Sequence, residues 1–238
     1  MKYACSRAGL SSAWDYKTIR YTIDVIKEIV QSHVPKPVGT WRYYSVLLPL
    51  VEKDGLLYVL YELRAADLDI QPGEISFPGG GIETGETPAE AALRETAEEL
   101  GVPETAVEII TELDYLLSYS NLKIHCFLGV IDAAALEIAA INKAEVEEYF
   151  LTPLNWLLEN DPEIYVNNIV QEPAANLPVE KLTPRGGYNW RTGTSTVPVY
   201  IWPDPQAGKE RVIWGMTARL TMAFTDLLRS GKALSQTV

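Results

Sequence analysis

GGIETGETPAEAALRETAEELGV, residues 80–102, carries a glycine-rich segment into a short helix. Each helical residue turns about 100°, so Glu95, Glu98 and Glu99 fall within roughly 100° of one another. Leu93, Ala97 and Leu100 gather on the opposite side as an apolar stripe for a core. Glu95 and Glu99 stand one turn apart, close enough for both carboxylates to reach one cation. Without a cation, each like-charged pair costs a few tenths of a kcal/mol. Arg94 offsets part of that repulsion and can steer a carboxylate with a two-toothed hydrogen bond. Thr84 or Thr87 caps the helix start, with Pro88 in the first turn and Glu90 completing a box with Thr87. Gly101 ends the helix.

A solvated acidic face is the ordinary reading of a lone Glu-Glu pair. Pro78-Gly79-Gly80-Gly81 argues otherwise, because glycines let the backbone approach closely and offer carbonyls to join the carboxylates around a metal. Hard oxygen ligands with no neighbouring histidine or cysteine select Mg2+ or Mn2+ over zinc.

Gly80, five residues, Glu86, seven residues, then Arg94-Glu95-x-x-Glu98-Glu99-x-Gly101-Val102 resembles the Nudix box, the signature of hydrolases that cleave nucleoside diphosphates linked to another group. Thr96 departs from it, where an aliphatic residue is more usual. The resemblance implies an α+β fold, an α/β/α sandwich whose mixed β-sheet is covered by helices. It implies metal ligands at Glu95, Glu99 and the Gly80 carbonyl, with Glu98 as an added ligand or an acid-base residue. Glu145 matches a glutamate that serves some relatives as base or extra ligand. Glu147 and Glu148 are equally acidic neighbours. Arg94 joins the catalytic set through its hold on the carboxylates, whereas Glu86 and Gly101 are structural.

Gly73-Glu74-Ile75-Ser76-Phe77-Pro78-Gly79-Gly80 resembles the motif that precedes the box in coenzyme A diphosphatases, with Leu60 and Arg64-Ala65 at its earlier positions. Ile213-Trp214-Gly215-Met216-Thr217-Ala218 is similar to the closing helix of those enzymes. By this resemblance Arg64, Phe77 and Gly79 bind substrate, which is coenzyme A or a thioester, cleaved to 3',5'-ADP and 4'-phosphopantetheine. Asp69 departs from the motif where that group has an arginine. ADP-ribose or a dinucleotide is the alternative substrate. A ligand-binding module without turnover would have lost box carboxylates, and none is lost.

The 238 residues, 47% of them hydrophobic, support one large domain or a domain with appendages. The formal charge of −12 argues against nucleic acid as a partner. It permits a phosphorylated small molecule, because a bound divalent ion reverses the local sign. Cys5 and Cys126 make no metal-ligand spacing, and Cys126 reads as a core residue. No signal peptide or membrane-length segment is evident, so the cytoplasm is the expected location.

Residues 1–38 form an N-terminal extension with an amphipathic helix over Lys17–Ser32, apolar at Ile19, Ile23, Ile26 and Val30, for packing or for a homodimer contact. Residues 39–232 form the Nudix domain. Its strands are expected at Tyr43–Val51, Leu56–Leu63, Glu74–Phe77, Val107–Leu116, Leu122–Ile131 and Val197–Trp202. Residues 160–196 read as an irregular insertion. The last helix is expected at Ile213–Arg229, with Ile213, Met216, Leu220, Ala223 and Leu227 on one face and Trp214 filling core volume.

Overall fold

The computed structural model describes residues 22–182 and 190–235; Cys5 and Ile19 lie outside them. The chain divides into two compact units, Met1–Gly39 and Thr40–Val238. In the first, α1 spans Ile23–Gln31, later than the expected start. Extended backbone at Thr22 and a hydrogen bond from the Val25 N–H to the Thr22 hydroxyl fix Thr22 as the N-cap.

The second unit runs β1 (Arg42–Lys53), β2 (Leu56–Arg64), β3 (Ile75–Ser76), β4 (Gly79–Gly81), α2 (Pro88–Leu100), β5 (Val107–Glu112), β6 (Leu116–Leu117), β7 (Leu122–Ile131) and α3 (Ala133–Glu137). It continues through β8 (Val146–Pro153), α4 (Leu154–Glu159), β9 (Glu163–Ile169), α5 (Val179–Leu182), β10 (Gly193–Asp204), β11 (Lys209–Trp214) and α6 (Gly215–Ser235). One sheet has the order β3-β2-β1-β7-β5, with β4 on β1, β6 on β7 and β8 on β2. It is mixed, since β1 runs parallel to β7 and antiparallel to β2. A second sheet is ordered β11-β10-β9.

Alternation along β1 and β2 sends side chains to two cores. Leu47, Val51 and Leu60 pack with Ala92 and Leu100 of α2 on one face. Leu48, Val59 and Tyr61 pack on the other with Leu157 of α4, Tyr200 of β10 and Phe224 of α6. Cys126 is buried in that second core. The arrangement is the expected α+β sandwich. Asp54 and Gly55, both at positive φ, close the β1–β2 hairpin. Pro49 sits where β1 changes partner from β4, paired through Val46, to β2, paired from Leu50. The Leu47 N–H donates to Pro78 O on that edge, so Pro49, two residues on, lacks its donor where the ladder is already split.

Several expectations are corrected. The buried stripe of α2 is Ala92, Thr96 and Leu100, turned from the expected Leu93, Ala97 and Leu100. Thr96 fits there because its hydroxyl donates to Ala92 O at 2.6 Å, leaving its methyl to the core. Residues 160–196 are not wholly irregular. β9 pairs along its length with β10, yet it is exposed on both faces, so it has no alternation to read. Ile213 and Trp214 end β11 and do not open α6; Gly215, at φ 65°, makes the turn between them. Trp214 is 45% exposed and Leu227 56%, while Ala218, Thr221, Phe224 and Thr225 face the core.

The α2 start is built as a capping box. Thr87 Oγ1 accepts from the Glu90 N–H, and Glu90 Oε2 accepts from the Thr87 N–H. Thr87→Ala is expected to lower unfolding stability by about 1 kcal/mol, read as a lower urea midpoint at unchanged slope. A midpoint equal to wild type would show that the box contributes nothing.

Candidate active site

Strands β2 and β4 and helix α2 bring the acidic residues together. The Gly79–Gly81 segment is a strand and not a free loop, paired with Tyr44, Ser45 and Val46 of β1. Ser45 is buried and its hydroxyl donates to Pro88 O at 2.6 Å, fixing the helix start against the sheet. Gly80 lies under Glu95: a Cβ there would sit 2.3 Å from the Glu95 carboxyl carbon. Gly79, at φ 152°, is equally tight, and there the obstacle is backbone, because its Cβ would meet Ser45 O at 2.3 Å. Its N–H donates to Glu99 Oε2 at 2.8 Å. Gly79 therefore holds a carboxylate, and its amide is not free for substrate.

Arg94 is the organising cation. Its Nε and one Nη2 proton bind the two oxygens of Glu86, at 2.8 and 3.1 Å. Nη1 donates to Glu95 Oε1 at 2.9 Å and Glu98 Oε2 at 3.2 Å, and Nη2 also reaches Gly81 O at 3.2 Å. A guanidinium has five N–H donors, so these five contacts use them all. Arg94 is a positioning residue, with no donor left for substrate. Glu86 is in turn held below its ordinary pKa by Arg94 and by the Glu83 N–H. Gly101 closes the helix at φ 69°, against Ala140 O.

The acids differ sharply in environment. Glu99 is only 4% exposed. Burial pushes its pKa up to about 7, against the pull of the Gly79 N–H, and Glu95 and Glu145 push it further. Burial also raises Glu95, whose contacts with Arg94 oppose the shift. Glu98 is the exposed member, with 59% of its side chain accessible. Glu145 stands exposed just before β8, near enough to repel Glu62, Glu95 and Glu99. Glu148 points elsewhere: Arg211 and Lys209 bind it and hold it down at about 2. Of Glu145 and Glu148, it is Glu145 whose charge acts on the cluster.

Phe77 is corrected as a substrate contact. It is 4% exposed and stacks on Tyr61, ring centroids 5.0 Å apart, inside the core. Arg64 is better placed: its charge is felt at Glu62 and Glu99, and Nη2 donates to Ile70 O at 3.3 Å in the loop that carries Asp69. Asp69 is exposed. His125 pairs with Glu112.

Sequence reasoning passed over Glu62. It is 1% exposed on β2, against Glu99, and its pKa is raised well above normal by burial and by that neighbour. Its sign in the sequence is an acid two residues after Leu60 in an apolar run, hence on the same face.

Donor chemistry fits Mg2+ or Mn2+: several carboxylates and the Gly80 backbone, with buried acids offset, among the described residues, by Arg94 and Arg64. Among the described residues no three acidic, histidine or cysteine side chains already converge on one metal-binding point. Arg94 and Gly79 hold Glu95, Glu98 and Glu99 by other bonds, so binding an ion requires these side chains to turn. Among the described residues no helix is long and apolar enough to cross a membrane.

A family model described as the NUDIX domain matches residues 42–169. A peroxisomal coenzyme A diphosphatase of Mus musculus is 28% identical over 180 residues, 75% of this chain and 67% of that protein. Nudix hydrolase 3 of Caenorhabditis elegans is 39% identical over 117 residues, 48% of this chain. The match spans 49% of that relative, about half its length. A crystal structure of a C. elegans Ap4A hydrolase aligns at TM-score 0.41 and 17% identity, over 49% of this chain and 83% of that one. That likeness is loose and bears on no substrate.

The Glu99 shift has a signed consequence for stability without metal. The folded chain keeps a proton that the unfolded chain, at 4.5, has released. The resulting stabilisation is complete below pH 4.5 and is lost as pH rises through about 7. In metal-free protein at pH 8, Glu99→Gln should therefore be more stable than wild type by on the order of 1–3 kcal/mol. The gap should close toward pH 4.5 in urea titrations. A wild type that is the more stable at pH 8 would contradict the burial assigned to Glu99.

Proposed function

The chain belongs to the Nudix family, and from that premise we propose that it hydrolyses nucleoside diphosphates linked to another moiety, with coenzyme A or its thioesters as substrate. The observation that carries the reaction class is the set of desolvated carboxylates, Glu95 and Glu99, beside the Gly80 backbone. Such groups bind a divalent cation strongly because ionising them without one is costly. The coenzyme A reading is supported by the Gly73–Gly80 motif and by the mouse relative named as a coenzyme A diphosphatase.

A diphosphate resists water because its anionic oxygens repel a nucleophile. Mg2+ or Mn2+, when bound, supplies neutralising charge and acidifies a water. Glu95 and Glu99, with Glu98 and the Gly80 carbonyl, would hold it. Arg94, anchored by Glu86, keeps those carboxylates on one side of α2. A carboxylate near the attacking water takes its proton as oxygen bonds to phosphorus and the bridging P–O bond breaks. Glu145 is the freer candidate for that base, since Glu98 is tied to Arg94. Arg64, whose charge is felt at Glu99, would meet a substrate phosphate. The reading keeps the cytoplasm as location, while the mouse relative is named as peroxisomal.

ADP-ribose or a dinucleotide is the second reading, favoured by Asp69, whose charge opposes a phosphate in the loop after β2. A panel of coenzyme A, acetyl-coenzyme A, ADP-ribose and NADH with Mg2+ separates the two. Coenzyme A should give the highest kcat/KM, with 3',5'-ADP as product, and absence of coenzyme A cleavage would end that assignment. Glu95→Gln and Glu99→Gln should each lower turnover by orders of magnitude with the fold intact; normal turnover in both would overturn the site. Asp69→Arg should lower KM for coenzyme A by an amount worth about 1–2 kcal/mol and leave kcat nearly unchanged. No change in KM would show that the loop does not meet the phosphate.

A further inference from the structure

Glu62 has no part in the reaction as described, yet among the described residues it is the least exposed carboxylate. It is 1% exposed, and Oε1 has no hydrogen-bond partner. Leaving a polar atom unpaired in such a place is unfavourable, and more so if the group is ionised. Two of its neighbours on adjacent strands are Ser76 and Tyr149, which pair with it through the backbone ladder. Side-chain alternation fixes its direction. Leu60 packs with Ala92 and Leu100 of α2, and Glu62, two residues on, faces the same side. There it lies against Glu99 and in range of Arg64 and Glu145.

We infer that Glu62 supplies a carboxylate to the divalent-cation site from the strand side, opposite the ligands on α2. The inference rests on the cation site proposed above. It accounts for the orphaned oxygen, because a cation drawn to Glu99 would give Oε1 the partner that the protein does not. It also accounts for an acid on the buried face of β2, two residues from Leu60, which packs against α2. A Leu or Thr would satisfy packing alone.

The competing account is a carboxyl pair that shares a proton with Glu99 and never meets metal. The two accounts differ in metal affinity. Mn2+ alone is titrated into the full chain, with free Mn2+ followed by electron paramagnetic resonance, and thermal unfolding is followed with and without Mn2+. Glu62→Gln keeps size and hydrogen bonding but removes the charge. It should weaken Mn2+ binding about ten-fold or more and shrink the Mn2+-induced rise in Tm, while the metal-free Tm stays equal or rises. Glu62→Asp keeps the charge but withdraws it by one methylene, and should also weaken binding. It serves if the glutamine variant does not fold. Mn2+ affinity within two-fold of wild type in either folded variant overturns the inference. Glu99→Gln is the control: if it too leaves Mn2+ affinity unchanged, the site on α2 fails; if it alone weakens binding, only the role of Glu62 fails.

Discussion

One guanidinium holds this site together. Arg94 spends its five donors on Glu86, Glu95, Glu98 and Gly81, and so ties the loop before α2 to the acids along it. Charge-assisted bonds of this kind are short and directional, and a planar fork loses little freedom in making them. Without that hub, three carboxylates on one helical face would repel and splay into solvent. A lysine could supply the charge but neither the number nor the plane of contacts.

The sheet supplies what Arg94 cannot. β1 presents Ser45 to the first turn of α2, β4 presents the Gly79 amide to Glu99, and glycine at position 80 leaves room for the Glu95 carboxyl. Glu99 and Glu62 lie almost wholly out of water, where ionised acids are unfavourable. The fold therefore carries a local electrostatic cost beside a well-packed two-sided core. A cation that binds the folded chain would offset that cost, coupling metal binding to stability. Stability given up at a site that binds charge is a common trade in enzymes.

Much of this was legible from residue order, and the limits have physical reasons. Spacing placed α2, its capping box and its acids, because each depends on contacts within a few residues. Alternation placed β1, β2 and β7, which are buried on one face or both. What failed were features fixed by distant partners. β9 is a strand only through its pairing with β10, and its exposed side chains leave no pattern. Ile213 fits both a strand and a helical face, and only the left-handed turn at Gly215 decides between them. Phe77 sits beside the glycines in sequence, yet alternation turns it into the core against Tyr61. Glu62 escaped notice because its meaning depends on Glu99, a partner 37 positions away on another element.

The central claim is that these acids form a divalent-cation site. Crystals of the full chain grown with Mn2+, with data collected at its absorption edge, would test it most directly. The account predicts an anomalous peak enclosed by Glu95, Glu99 and the Gly80 carbonyl, with metal–oxygen distances of about 2.1 Å, close to those of Mg2+. An enzyme active with Mn2+ whose crystals show the anomalous peak elsewhere, and none at this cluster, would contradict it.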